Sequence, residues 1–244
     1  RNYLLEKEAK IPKLILAPTI VSDGRKLLLS TQPSSYLTFS APYSERGAKE
    51  FDAVEYMRLF KHQNAGGLSF TTALRLSASF PYITPLVDLP SQPPLQLIDA
   101  GVRDNEGLEL VLRYLHSLQD WINENTCGVV IIQVKANRAE ELAYVDKKHS
   151  ILENLTLPIN GVVNSFGNFQ NYNKALLLDW STELLDFELD VYRFSLMRKE
   201  ANLSLSWHLT QAEKKEINTA MKRADNQKEL SELQLNMKSR PLKN

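Results

Sequence analysis

The side chains best suited to chemistry in this sequence fall in two short segments. Leu74-Arg75-Leu76-Ser77-Ala78-Ser79-Phe80-Pro81 offers two serine hydroxyls, and Leu97-Ile98-Asp99-Ala100-Gly101-Val102-Arg103-Asp104-Asn105 offers a carboxylate at the end of an apolar run. A serine hydroxyl is a weak nucleophile at neutral pH and needs a base within about 2.6–3.2 Å. Taken singly, a strand-terminal aspartate is most often a turn residue or helix cap, and a helix-terminal Ser-x-Ser is usually packing. No GxSxG elbow presents Ser77 or Ser79, and Gly67-Leu68-Ser69-Phe70-Thr71 fails that pattern at its last glycine.

Other chemistries are poorly supplied. His62, His116, His149 and His208 show no ligand spacing with one another or with Cys127, so no metal site is expected. Asp99, Asp104 and Glu106 lack the spacing of a calcium loop and read as solvated turn charges. A nucleotide- or carbohydrate-active α/β protein finds no glycine-rich phosphate loop to support it, and no cofactor is expected. Lys+Arg and Asp+Glu stand at 29 each, so no net field draws nucleic acid. The single cysteine excludes an intramolecular disulfide framework. Apolar runs such as 128–134 are strand-sized, far short of the ~20 residues of a spanning helix. The chain opens on Arg1-Asn2-Tyr3 with no signal pattern, and the expectation is a piece of a longer protein, cytoplasmic or membrane-associated.

Several elements must position these groups. Residues 13–21 and 26–31 read as strands joined in a hairpin at Asp23-Gly24-Arg25. Phe51, Val54, Met57 and Phe60 predict a short helix whose face packs on the sheet, lines an acyl pocket or acts as a lid near Gly66-Gly67. Ser69 or Thr71 caps a helix that Pro81 stops, and five prolines from Pro81 to Pro94 mark an irregular connection. Residues 95–98 form a short strand. Leu108, Val111, Leu112, Leu115, Leu118 and Ile122 predict one helix over 106–123, and 129–134 predicts a central parallel strand. Strand, helix and strand then make a βαβ unit with Asp99 at the carboxyl end of a parallel strand, where ligands and catalytic groups gather. Further on, 164–189 reads as largely helical and 190–197 as a last strand. Thr210 and Glu213 fit a capping box opening a helix with Ile217, Ala220, Met221 and Ala224, followed beyond Asp225 by a solvated, fraying helix.

Read together, the Arg75–Pro81 and Leu97–Asn105 segments resemble the second half of the patatin-like phospholipase family's catalytic domain. There an Arg-x-Ser-x-Ser-Phe-Pro helix end precedes a strand ending in Asp-Gly-Gly or Asp-Gly-Ala, followed by an Asn that opens a helix. The hairpin at Asp23-Gly24-Arg25 looks like that family's strand pair before the helix, and Trp207-His208-Leu209-Thr210 is similar to a closing segment of its larger bacterial members. The resemblance covers most of residues 11–210.

It implies an α/β three-layer sandwich with a mainly parallel sheet, present as a partial domain over 1–209 with a polar helical tail over 210–244. It also implies a hydrolase of lipid or other acyl esters that works through a Ser–Asp dyad. Asp99 would be the base, with Gly101 and Asn105 as motif support and the GxSxG serine upstream. A carboxylate can serve a serine directly if burial raises its proton affinity. The implied partners are an acyl ester substrate, the upstream half of the same domain and a membrane surface in peripheral contact. Arg75 would touch a substrate head group or form a structural ion pair. Ala100 replaces the first motif glycine, which is harmless at negative φ and strained by about 1–2 kcal/mol at positive φ. That substitution and the missing elbow favour the alternative, a non-catalytic patatin-like interaction or scaffold domain.

Overall fold

The structure, a computed structural model, describes residues 2–39, 51–79, 86–135, 177–178, 181, 183, 185–196 and 208–240. Its chain contacts divide into two units, Arg1–Ser117 and Leu118–Asn244. The expectations at Pro81 and Trp207, and most of the helix at 164–189, lie outside the described residues.

The first unit opens with α1 (Asn2–Lys7) and then builds the expected hairpin. Its first arm is two pieces, β1 (Ile15–Leu16) and β2 (Thr19–Ile20), in one register against β3 (Lys26–Ser30). Pro18 between them has no N–H for the ladder, although its carbonyl accepts the Leu27 N–H at 2.8 Å. Gly24, at φ 73°, supplies the left-handed turn and donates its N–H to the Ile20 carbonyl.

The helix expected over Phe51–Phe60 is half strand. Phe51 bridges Phe39, β4 (Ala53–Glu55) runs parallel to β3, and only then does α2 (Tyr56–Leu59) begin. The sequence shows a three-residue spacing of apolar groups here, but burial alternates: Ala53 and Glu55 turn inward. Glu55 is satisfied there by the Ser34 N–H at 3.2 Å and the Ser35 hydroxyl.

After α3 (Phe70–Ser77) come β5 (Val87–Leu89) and β6 (Leu95–Ile98). β6 pairs antiparallel with both β5 and β2, and the β3–β4 contact is the sole parallel one among the described strands of this sheet. The expected mainly parallel three-layer sandwich is therefore wrong. Connector length gives the reason: Pro90 to Pro94 is a five-residue loop, long enough to turn a hairpin, whereas a parallel crossover needs a dozen residues or more.

β3 is buried on both faces. On one, Leu27 and Leu29 pack with Ile20, Phe60, Leu76 and Leu97; on the other, Leu28 meets Leu37, Ala53 and Leu110. Each such leucine contributes about 1.5–3 kcal/mol relative to exposure. Lys26 is also fully buried. Its Nζ lies 3.0 Å from Glu109 and 3.7 Å from Asp104. Arg113 binds Asp52 through both guanidinium nitrogens at 2.7 and 2.9 Å and Glu109 at 2.7 Å, and Arg103 reaches Asp52 at 3.0 Å. Burial pushes the Asp52 carboxyl up, but the Arg113 hydrogen bonds and the charges of Arg113, Lys26 and Arg103 carry it below the usual carboxylate value.

The helix expected over 106–123 is interrupted. α4 (Gly101–Asp104) is a single turn, α5 runs Leu108–Ser117, and Leu118, at φ −114°, precedes α6 (Gln119–Asn125). Leu108, Leu112 and Leu115 are buried as expected, but Val111 is exposed.

In the second unit, β7 (Val129–Lys135) pairs parallel with β8 (Leu189–Ser195), not with β6. The βαβ unit is absent among the described strands, and Ile132 and Val134 are exposed where a central strand would bury them. The capping box is present: the Thr210 hydroxyl accepts the Glu213 N–H at 3.2 Å, and Glu213 accepts the Thr210 N–H at 2.6 Å. It opens α7 (Gln211–Thr219), and after a tight turn α8 runs Ala224–Ser239. α8 packs on β8 through Asn226, which is wholly buried. Its amide accepts the Ser195 N–H at 3.0 Å and donates to the Ser195 and Ala220 carbonyls at 2.8 and 2.9 Å.

Candidate functional site around Asp99

The two segments that stand out in the sequence meet in the structure. Ser69 caps α3 by accepting the Thr72 N–H at 3.1 Å, and the helix carries Ser77 and Ser79 to the end of β6. There the Asp99 N–H donates to the Ser79 carbonyl at 2.7 Å and the Ala100 N–H to the Ser77 carbonyl at 3.1 Å. The Thr19 hydroxyl holds the Asp99 carbonyl at 3.2 Å. It is the backbone of the Ser-x-Ser segment that works here. Ser79 is fully buried with its hydroxyl donated to the Arg75 carbonyl at 2.6 Å, so it is no nucleophile. The Ser77 hydroxyl is also buried.

Asp99 is half-buried at a strand end between antiparallel neighbours, not at the carboxyl edge of a parallel sheet as the sequence suggested. Its Oδ1 accepts the Gly101 N–H at 2.6 Å, a local turn that opens α4. Burial raises the Asp99 carboxyl above its ordinary value, and the Gly101 bond opposes that shift. Oδ2 takes no hydrogen bond from the described residues.

Gly101 is required by close approach. A Cβ there would stand 2.7 Å from Asp99 Oδ1 and 2.7 Å from Asn105 Oδ1. Gly101→Ala is expected to push the Asp99 carboxylate outward into water. Its titration midpoint, followed by carbon-detected NMR, should fall towards 3.8, the ordinary value; an unmoved midpoint would show that the contact is not restraining. Ala100 lies at φ −59°, ψ −31°, where alanine is unstrained, so its substitution for glycine costs the turn nothing.

Asn105 does not open α5. It ends α4 at φ −57°, with its side chain turned back over Gly101. Asp104 takes the capping role instead, its Oδ2 accepting the Leu110 N–H at 3.1 Å across the left-handed Gly107. The Asp-x-x-Gly spacing was the available signal. Arg75 is exposed and forms no ion pair among the described residues, against the structural pairing weighed from sequence. Asp99, Asp104 and Glu106 do not assemble with others as a metal centre: among the described residues no group of three metal-ligating side chains occurs. His62, His116 and His208 are likewise apart from any such group, and His149 lies outside the described residues. No helix among the described residues is long and apolar enough to cross a membrane.

Two cavities open at the other end of α3. One, about 410 Å³, is walled mainly by apolar side chains including Leu14, Leu16, Leu29, Met57 and Phe70. The other, about 380 Å³, presents Gln63, Asn64, Thr72 and Ser91 beside Phe60 and Leu89. Tyr56, Leu68 and Ser69 line both, and Asp99 lines neither. Seven helical steps of 1.5 Å put the two ends of α3 roughly 10 Å apart. Tyr56 and Met57 belong to the segment read from sequence as packing, as an acyl-pocket wall or as a lid; Met57 lines the apolar cavity, and Tyr56 lines both cavities while its ring sits tilted against Phe60 at 5.3 Å between centroids.

Compared with known proteins, the chain matches no family model, no curated sequence and no solved structure.

Proposed function

We propose that Asp99 is the proton acceptor of an acyl-ester hydrolase whose nucleophilic serine is supplied by sequence upstream of Arg1. One observation carries this reading: a half-buried carboxylate with raised proton affinity, anchored through Oδ1 to Gly101, with Oδ2 left to accept a hydroxyl proton. The Ser–Asp chemistry itself rests on the resemblance of the two contacting segments to patatin-like phospholipases. The antiparallel sheet lends it no support.

In the first half-reaction Asp99 takes the serine proton as the serine oxygen bonds to the ester carbonyl carbon. It then gives that proton to the departing alkoxide, leaving an acyl-serine. In the second, Asp99 takes a proton from water as the water oxygen attacks the acyl carbon, and returns it to the serine oxygen. Base catalysis of this kind works best when the acid's pKa lies towards the working pH, which is what burial does to Asp99.

A fluorophosphonate probe tests the division of labour. Residues 1–244 alone are expected to take up no probe, while the chain extended upstream labels stoichiometrically on one serine. Labelling within residues 1–244 would place the nucleophile here and overturn the reading. A second reading, Asp99 as a turn former in a non-catalytic interaction domain, is favoured by its bond to Gly101.

A further inference from the structure

The two cavities at the N-terminal end of α3 differ in chemistry and share a wall. The larger is apolar, built by β1, β3, α3 and the segment after α1. Its one charged group, Glu6, is already engaged: it accepts the Leu14 N–H at 3.1 Å and the Thr31 hydroxyl. The smaller sets amides and hydroxyls among Phe60, Leu68 and Leu89 and has no charged side chain in its lining. Both volumes lie in the range of small-molecule sites, about 300–1,000 Å³.

We propose that the paired cavities bind one uncharged amphiphile, its acyl or alkyl chain in the apolar chamber and a hydroxyl-bearing head such as glycerol in the polar one. The lining selects the head group: among the described residues of the polar cavity no cation stands ready to pair with a carboxylate or phosphate. Gln63, Asn64, Thr72 and Ser91 instead offer neutral donors and acceptors. Gln63 is held in place by the chain it faces, donating to the Gln92 carbonyl at 2.9 Å and accepting the Gln92 N–H at 2.8 Å. Tyr56 stands at the junction. Its ring is buried against Phe60, and burial alone raises its phenol, with no hydrogen bond contributing. That leaves a neutral O–H to donate to the ligand's linking oxygen. The site stands at the opposite end of α3 from Asp99, and its occupancy does not depend on the hydrolase reading.

Gly66 gives a clean way to close the apolar chamber. It lines that cavity, and a Cβ added there meets nothing within 4 Å. Titration calorimetry with 1-O-dodecylglycerol, an ether that no esterase step consumes, should show saturable binding by the full chain with negative ΔCp. Dodecanoate at pH 8 should bind at least about tenfold more weakly, for want of a countercharge. Gly66→Phe should weaken dodecylglycerol by about tenfold or more, and Tyr56→Phe by about 2- to 10-fold, the range of one neutral hydrogen bond. Tyr56→Phe keeps the ring contact with Phe60 and decides the matter if Gly66→Phe does not fold. Non-saturable uptake, dodecanoate binding as tightly as the ether, or wild-type affinity in the folded variants would each overturn the proposal. None of these results bears on Asp99, so the two readings fail separately.

Discussion

Asp99→Asn in the upstream-extended chain should lower kcat/KM for short acyl esters by about 10²–10⁴-fold while leaving the fold at least as stable as wild type. The loss follows from chemistry, since a carboxamide cannot take the serine proton, and general base catalysis contributes a factor of that size. The retained stability follows from geometry. Asparagine presents the same Oδ1 to the Gly101 N–H, so the turn that opens α4 is kept.

The sign of the pH dependence follows from the raised folded pKa of Asp99, whose unfolded reference is 3.8. Between that value and the folded pKa, the native state binds the proton more tightly than the unfolded chain. Stability from this group therefore falls as pH rises through the window, and above it the half-buried charge is a standing cost. The Asn variant avoids that cost. Its advantage in urea midpoint should be present at pH 7–8 and vanish as pH falls towards 4. Asp99→Ala, which loses the turn as well as the base, should be less stable than Asp99→Asn at every pH. Full activity in Asp99→Asn would remove the carboxylate from the mechanism. Inactivity accompanied by equal destabilisation in both variants would make Asp99 a turn former only.

Arg113→Met should cost about 3–5 kcal/mol, because it leaves Asp52 and Glu109 short of their strongest partner inside the first unit. The Arg113 side chain is only 9% exposed and that of Asp52 14%, so solvent screens the loss little. The wild-type contribution of Asp52 has the opposite pH sign to that of Asp99. Its folded pKa lies below 3.8, so the stability is fully present above that value and fades as pH falls through the folded one. In Arg113→Met the acid transition should begin at higher pH. Pairing it with Asp52→Asn should recover part of the loss, since breaking a buried pair costs more than removing both charges. Additive losses in urea denaturation would show that the pair is not coupled.

Local signals in the sequence carried over well. Gly24 forces the hairpin turn, Ser69 caps α3, Thr210 and Glu213 form their box, and the β-branched run at 129–134 is a parallel strand. What failed was partner choice. A strand does not encode its neighbour; connector length does much of that, and the prolines between Leu89 and Leu95 hid a hairpin inside what read as irregular chain. The charged cluster was invisible for a related reason. Lys26 reads as the polar start of a strand, and Asp52 lies in what looked like a helix; only the fold brings both to Arg113, Asp104 and Glu109. Around Asp99 the sequence located the carboxylate and its glycine, but it could not show that the Ser-x-Ser segment would serve through its carbonyls.

Asn226 has a consequence for how the second unit comes apart. A side chain on the first turn of α8 takes the edge of β8 that no described strand pairs with, satisfying both the N–H and the C=O of Ser195. The outer edge of β8 at Ser195 is thus satisfied by Asn226 only while the helix is seated, whereas the rung to β7 is backbone, with the Leu196 N–H donating to the Lys135 carbonyl at 2.9 Å. Release of α8 would expose a bare strand terminus able to template pairing with another chain. Amide exchange at Ser195 would then report detachment of the helix rather than melting of the sheet.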